Sequence, residues 1–497
     1  MFKSFTKRQF SLLAPLFIPL MFLANTEIGA ATSREELSLG KFYSFAPTPA
    51  ESYMDARGNE FTAGTKLTDE DRGIVYPMTE WVAWSYTNAT TITIDLGRNY
   101  PIEEATIGLR SHTDWGIYYP QAVKVETSPN GATWSTFAET DNLPQDTVEY
   151  STTDLRVTGN RNGRFVRFVF SLDYPDFLFV DEIRVWGLYT DTAKHVPPAG
   201  CMHGAFPIST DNPYMNIANF ETLAKKTIRM VLWYADWEVD FESSIGYLYD
   251  LVLGGRLLEV GWLPEFTTAE SIAKGSHDAF LKKWLTDCAK RNEKIWLRPM
   301  NEFNGSWTFY NSTTTNGRYG GNPKEFRRAW RRMYNIAEQV GATGDNQIFV
   351  WSPNLPSYPQ TQENRFQAYY PGHNYVDWVG ASCYNNGTTP VTLLDAWYNE
   401  YATRKPLMIV EGGSTEEYTA TPKPQWTTAL YEALQTKYPQ IKAMIWFNPQ
   451  GGGADQSDLR IDSSQKALEA YQKAIAPSYF LDFNASIDEW KNFDNYE

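Results

Sequence analysis

Between about Leu37 and Gly187 the chain alternates short apolar and polar runs with turn residues. Thr91 to Gly97 (TITIDLG), Ala122 to Thr127 (AVKVET), Arg164 to Phe170 (RFVRFVF) and Asp181 to Gly187 (DEIRVWG) are such runs. A period near two marks half-buried strands, and Pro129-Asn-Gly131 supplies a tight turn between two of them. No stretch here carries a helical period. The pattern predicts an antiparallel β-sandwich over residues 36–188. The next stretch, 189–200, contains two prolines and no periodicity, and reads as a linker.

Beyond residue 200 the rhythm changes. Apolar β runs now alternate with helical stretches such as Ala279 to Asn292, Pro323 to Val340 and Gln425 to Lys437. Eight strands are expected: Cys201–Phe206, Ile228–Tyr234, Leu257–Leu263, Lys294–Pro299, Gln347–Ser352, Tyr375–Cys383, Pro406–Val410 and Ala443–Asn448. Strand–helix alternation implies parallel strands joined by right-handed crossovers. Eight such units match a (β/α)8 TIM barrel, predicted over residues 201–477. A doubly wound open sheet would be the alternative, but no glycine-rich nucleotide loop accompanies the strands. Residues 478–497 form an acidic, aromatic tail.

The first 31 residues read as an export signal. Lys3, Lys7 and Arg8 precede the apolar run Phe10 to Ala24, and Gly29-Ala30-Ala31 offers a cleavage site. That run is shorter than the ~20 apolar residues a membrane span needs, so a secreted or periplasmic protein without membrane attachment is expected after cleavage. Cys201, Cys288 and Cys383 are scattered without metal-ligand spacing and are expected to be packed thiols with at most one bridge.

Composition narrows the partners. A formal net charge of −15 leaves nothing to neutralise phosphates, which argues against nucleic acid, and it disfavours polyanionic substrates. Aromatic residues make up 15% of the chain, with 18 Trp and 30 Tyr, and flat rings with a polar edge suit the faces of neutral sugars. Aromatic-rich β cores would account for the same excess.

In barrels the chemistry sits where the strands end. The fourth strand runs into Leu297-Arg-Pro-Met-Asn-Glu302 and the seventh into Leu407-Met-Ile-Val-Glu411. Each apolar run therefore ends in a carboxylate at the rim. Glycoside hydrolysis needs two carboxyl groups flanking the scissile bond, one of them protonated, and a separation of about 5 to 5.5 Å implies a covalent intermediate and retention. Two close carboxylates repel, which holds one of them protonated near neutral pH.

These motifs bring a family with them. Arg298-Pro-Met-Asn-Glu-Phe-Asn-Gly-Ser-Trp307, Val350-Trp-Ser-Pro-Asn354, Tyr375-Val-Asp-Trp-Val-Gly380, Met408-Ile-Val-Glu-Gly412, Ile445-Trp-Phe-Asn448 and Leu459-Arg-Ile-Asp-Ser-Ser464 together resemble glycoside hydrolase family 26, best known for β-mannanases. The resemblance implies Glu302 as general acid/base and Glu411 as nucleophile. It also implies Tyr384 as a hydrogen-bond donor to the nucleophile and Arg298 as its support. Trp307 would be a cleft tryptophan, and Trp446 the ring under the sugar at the cleavage point. Trp233 and Trp237 are further glycan contacts to be expected, while Trp351 is expected in the core. Mannanases of the family carry His before the acid/base, whereas this chain has Asn301. An amide there is typical of the wider clan, where it contacts the 2-hydroxyl of an equatorially substituted sugar.

Ile94-Asp-Leu-Gly97, the segment Tyr119 to Trp134 and Glu182 to Gly187 resemble the discoidin-like (coagulation factor type C) fold. That resemblance implies a carbohydrate-binding module, with His112, Trp115 and Tyr118 as a sugar site, and a structural Ca²⁺ to which Asp69 and Glu182 contribute oxygens. The expected function is a secreted, retaining endo-β-glycosidase on a neutral polysaccharide, β-1,4-mannan first. A β-glucan, β-1,3-xylan or exopolysaccharide stands close behind. The expected state is a monomer, with no cofactor for catalysis. The rivals are a non-catalytic glycan-binding protein and a transglycosidase.

Overall fold

A computed structural model describes residues 32–47, 65–73, 80–85, 89–141, 143, 150–172, 177–207, 216–251, 253–311, 322–450 and 458–483. The expected export signal at 1–31 and the tail beyond residue 483 lie outside the described residues.

The first half is antiparallel throughout. Its strands are β1 (Thr32–Glu36), β2 (Tyr43–Ala46), β3 (Val82–Trp84), β4 (Ala89–Ser111), β5 (Ala122–Ser128), β6 (Ser135–Asp141), β7 (Ser151–Ser171) and β8 (Leu178–Thr190). They are ordered β1-β8-β4-β7-β5-β6, with β2 on β4 and β3 on β8. The long β4 and β7 pair twice, on either side of register shifts around residues 95–104. Between them the apolar positions of the alternating runs, among them Ile92, Ile94, Val123, Val125, Val166, Phe168 and Ile183, form one buried core.

The second half is a closed barrel. Its strands are β9 (Cys201–Phe206), β10 (Met230–Asp236), β11 (Leu257–Leu263), β12 (Ile295–Pro299), β13 (Gln347–Trp351), a two-residue β14 (Asn354–Leu355), β15 (Trp378–Tyr384), β16 (Leu407–Gly413) and β17 (Ile441–Phe447), with β18 (Phe480–Leu481) added on β9. Eight of them pair in parallel from β10 round to β17 and β9, and β9 returns to β10. The helices are α1 (Ile217–Ala224), α2 (Tyr247–Leu251), α3 (Ala269–Ala273), α4 (Asp278–Arg291), α5 (Pro323–Gln339), α6 (Pro390–Tyr401), α7 (Lys423–Thr436) and α8 (Gln465–Ile475).

Helix α5 illustrates how the sequence sets these elements. Asn322 caps it by accepting from the Glu325 amide, and Pro323 occupies its first turn. Phe326, Ala329, Trp330, Met333, Ile336 and Ala337 then recur at helical spacing and are buried against the barrel. Each barrel strand is buried on both faces. Met230, Leu232, Trp296, Trp378, Met408 and Ile445 fill the interior, while Val231, Leu297, Val379, Ile409 and Trp446 pack outward under the helices.

The two halves are joined by more than the connecting chain. Lys41 pairs with Glu338 of α5 at 2.6 Å, and the Asn335 amide donates to the Gly40 carbonyl. Glu70 meets Arg327 and Arg331, while Asp71 meets Lys324 and Arg328. The predicted linker is itself docked. Lys194 donates to the Thr343 and Gln347 carbonyls and to Asp377, and Asp191 pairs with the fully buried Lys405 at 2.6 Å.

All three cysteines are free and buried. Among the described residues no helix is long and apolar enough to cross a membrane.

Candidate active site

Three strands deliver charged groups into the barrel mouth. Arg298 follows the inward Trp296 on β12, so alternation points it into the barrel, where it is fully buried. It pairs with Glu411 Oε1 at 2.5 Å and, through Nε, with Glu259 at 2.9 Å. Glu259 comes from the middle of β11 and is also fully buried. Burial pushes its carboxyl up to about 8 against the pull of Arg298.

Glu411 would not face this cluster on simple alternation, because Met408 and Val410 already point inward. The register with β15 slips between Ala381↔Ile409 and Ser382↔Glu411, and that with β17 slips between Ile409 and Gly412. A local irregularity of this kind re-aims one side chain. Here it turns Glu411 inward. Two phenols then converge on its carboxylate: Tyr384 donates to Oε2 at 2.8 Å and Tyr234 to Oε1 at 2.6 Å. Burial and the neighbouring Glu411 charge push both phenols well above their usual range, so they remain protonated donors. Two hydroxyl donors and a guanidinium thus surround one carboxylate, each making a charge-assisted contact with it.

Glu302 is positioned differently. The chain leaves β12 through Met300 and Glu302, both with positive φ (50° and 55°), a conformation unusual for residues with side chains and concentrated at functional sites. The Glu302 amide donates to the Ser352 carbonyl at 2.9 Å, and the Trp307 indole donates to Glu302 Oε2 at 2.8 Å. Burial, followed by the Glu411 charge, pushes the Glu302 carboxyl up to about 7, with Ser382, Trp307 and Arg298 pulling the other way. The two carboxyl groups are thus in electrical contact and differ in environment. One is neutral up to about pH 7 and the other is surrounded by donors.

The loop carrying Glu302 and Trp307 is fastened to the segment after β13. The Asn304 amide donates to the Asn354 carbonyl and to Ser357, and its own carbonyl oxygen accepts from the Asn354 amide. This brings the exposed ring of Tyr358 against Trp307 in a stacked arrangement, centroids 6.3 Å apart. Asn301, next to Glu302, is buried, and its Oδ1 has no hydrogen-bond partner. Asn311, part of a glycosylation triplet, is buried with its amide on the Gly305 carbonyl.

Three tryptophans expected as sugar contacts are elsewhere. Trp446 is fully buried on the outward face of β17, its indole on the Leu459 carbonyl and its ring against Tyr471 of α8. The ring that β17 sends inward is Phe447, which stacks on Phe206 at 5.0 Å and meets Tyr384 and Tyr234 edge-on. Trp237 is buried against Trp262, His277 and Phe280. Trp233 faces outward and is half-buried against the core beneath the helices. Trp351 is in the core, as expected. Tyr234, Glu259 and Phe447 were not evident from the sequence, because a strand that is apolar on both faces gives no sign of which alternate residues look inward.

In the sandwich, the His112 and Trp115 rings pack together at a tilt of 32° with centroids 4.2 Å apart, and Trp115 is 58% exposed. Neither ring nitrogen of His112 has a hydrogen-bond partner, the fully buried Arg110 lies 5.9 Å from the Trp115 ring, and Tyr118 is half-buried. On the barrel side of the sandwich, Asp69, Asp71 and Glu80 each bring a carboxylate oxygen within 4.8 Å of the others. Nearby Glu182 is buried with Oε2 lacking a hydrogen-bond partner, and burial, then the Asp69 charge, raises its carboxyl well above the usual range.

Comparison with known proteins places the barrel. The model of glycosyl hydrolase family 26 matches residues 279–460, a span that contains both Glu302 and Glu411. The barrel is a glycosyl hydrolase family 26 domain. Residues 49–183 match the F5/8 type C domain. Endoglucanase H of Acetivibrio thermocellus is 28% identical over 298 residues, which is 56% of this chain and 30% of that one. Mannan endo-1,4-beta-mannosidase A and B of Caldalkalibacillus mannanilyticus is 27% identical over 165 residues, 33% of this chain and 30% of that one. The matched region thus spans less than a third of either relative. Among solved structures, a Bacillus subtilis mannanase aligns over 58% of this chain and 89% of its own, at 16% identity and a TM-score of 0.42.

Proposed function

We propose that the protein is an exported, endo-acting β-glycoside hydrolase that cleaves a neutral β-linked polysaccharide by double displacement. The observation that carries this reading is the unequal carboxyl pair: Glu302 held protonated up to about pH 7, beside Glu411 surrounded by Arg298, Tyr234 and Tyr384. In the first step Glu411 attacks the anomeric carbon while Glu302 protonates the departing glycosidic oxygen. In the second, Glu302 takes a proton from water, which displaces Glu411 and releases the sugar. Glu259 acts behind Arg298, holding the guanidinium toward Glu411. Phe447, packed on Tyr384 and Tyr234, and Trp307, on Glu302, offer ring surface to the sugar.

Product profiling on β-mannan, lichenan and β-1,3-xylan tests the reading. Release of β-configured oligosaccharides from at least one of them supports it, and no release from any sinks it. β-1,4-Mannan is the first substrate to try. A β-glucan is the second reading, favoured by Asn301, whose unpartnered Oδ1 is ready to accept from an equatorial 2-hydroxyl, and by the likeness to an endoglucanase.

Removing one donor from the acid/base has a defined sign. Trp307→Phe keeps the ring but deletes the indole N–H that favours ionised Glu302. The alkaline limb of kcat/KM should then move upward by about half a pH unit, since one hydrogen bond to a partly exposed group is worth under about 1 kcal/mol. A pH–rate profile checks this, and a downward move would count against Glu302 as the acid.

The sandwich acts as the glycan-binding module, with His112 and Trp115 as its contact. Trp115→Ala should weaken retention on insoluble polysaccharide several-fold and leave hydrolysis of soluble oligosaccharides unchanged, read by pull-down and reducing-sugar assay. Asp69 and Glu182 would hold a structural Ca²⁺ here, cancelling the repulsion between two buried carboxylates.

A further inference from the structure

The rim of the barrel carries a second aromatic patch. The chain leaves β11 through a turn, Pro264 to Thr267, closed by the Thr267 amide on the Pro264 carbonyl. Phe266 occupies its third position with φ 57° and its ring 76% exposed. A positive φ at that position ordinarily selects glycine. Non-glycine residues with positive φ also occur at Glu238, Met300 and Glu302, in the loops that follow β10 and β12. Four of the eight non-glycine residues with positive φ among the described residues thus lie on one arc of the mouth.

The Phe266 ring packs on Phe309 with centroids 4.9 Å apart, and Phe309 lies two residues beyond Trp307 in the Glu302 loop. One loop therefore carries two ring pairs, Trp307 with Tyr358 beside Glu302 and, two residues on, Phe309 with Phe266. The surrounding charge is acidic, with Glu265 adjoining, and the whole chain carries −15, so an anionic occupant is disfavoured.

Resting on the reading of the barrel as a β-glycanase, we propose that Phe266 and Phe309 form an outlying subsite that grips the polysaccharide several sugars away from the cleaved bond. Two apolar ring faces match the C–H face of a neutral pyranose, and a strained, solvent-facing phenylalanine has no evident purpose in the fold.

Phe266→Gly tests this, because it removes the ring and relieves the backbone together. Thermal stability should rise or hold. The Kd and KM for β-1,4-mannohexaose or cellohexaose should rise about 3- to 10-fold, as one aromatic contact is worth, and kcat/KM on the corresponding aryl β-disaccharides should stay within twofold. Phe266→Trp should restore hexasaccharide affinity. Equal loss on long and short substrates, or no loss on either, overturns the subsite. So does a dimer that Phe266→Gly dissociates while hexasaccharide affinity stays unchanged, which would assign the surface to a second copy. A wild-type protein inert toward every glycan overturns the hydrolase reading instead, and the subsite is then decided by the hexasaccharide titration alone.

Discussion

Glu411→Ala is expected to lower kcat by on the order of 10⁴ to 10⁶, the range seen when one member of a catalytic unit is removed. Its two hydroxyl partners cannot replace it, since Tyr234 and Tyr384 are held as neutral phenols. The loss should not come from unfolding. Deleting Glu411 also removes a charge that helps hold Glu259 neutral, so Glu259, 2.9 Å from Arg298, becomes freer to ionise and to leave no buried charge unpaired, the situation that makes such deletions costly. A melting temperature within a few degrees of wild type would bear this out. The space vacated also makes a chemical test. Azide can enter from the same side as the missing carboxylate and complete a single displacement, so activity should return with a product of inverted anomeric configuration. Retained configuration in the rescued product would remove Glu411 from the role of nucleophile.

Glu302→Gln addresses the other carboxyl. Loss of general acid catalysis costs roughly 10²- to 10⁴-fold, and the size should depend on the leaving group. Natural polysaccharide, whose departing oxygen must be protonated, should suffer the full loss. A dinitrophenyl glycoside needs no proton to depart, so glycosylation should stay near wild type while the second step slows, producing a burst of dinitrophenol. In wild type, activity on polysaccharide should fall as pH rises through about 7, because Glu302 is raised to that value and its protonated form does the work. In the variant that alkaline limb should vanish. A limb that persists at the same pH would mean another group sets it.

What could be read in advance divides along physical lines. The two carboxylates were legible because each interrupts an apolar strand at its end, where burial alone would not place a charge. The β rhythm of the first half and the strand–helix alternation of the second were legible for the same reason, since period separates them. Direction within a barrel strand was not. Trp446 and Phe447 are neighbours and both apolar, and only the register of β17 shows that the phenylalanine faces the mouth. Tyr234 was hidden beside Trp233 in the same way. Glu411 depended on a slip in pairing that no alternation rule anticipates. Glu259 lies inside a strand, and its meaning appears only when Arg298 is seen next to it.

The docked connection between the halves bears on how the protein can be taken apart. Lys405 is wholly enclosed in the barrel, yet its carboxylate partner, Asp191, belongs to the connecting chain. A barrel expressed from residue 201 onward would keep that ammonium and lose its counterion, along with the Lys194 amine that ties the Gln347 carbonyl to Asp377. Dissection into freestanding pieces should therefore cut before Asp191. The segment up to Gly200 is part of the catalytic half's foundation rather than a hinge.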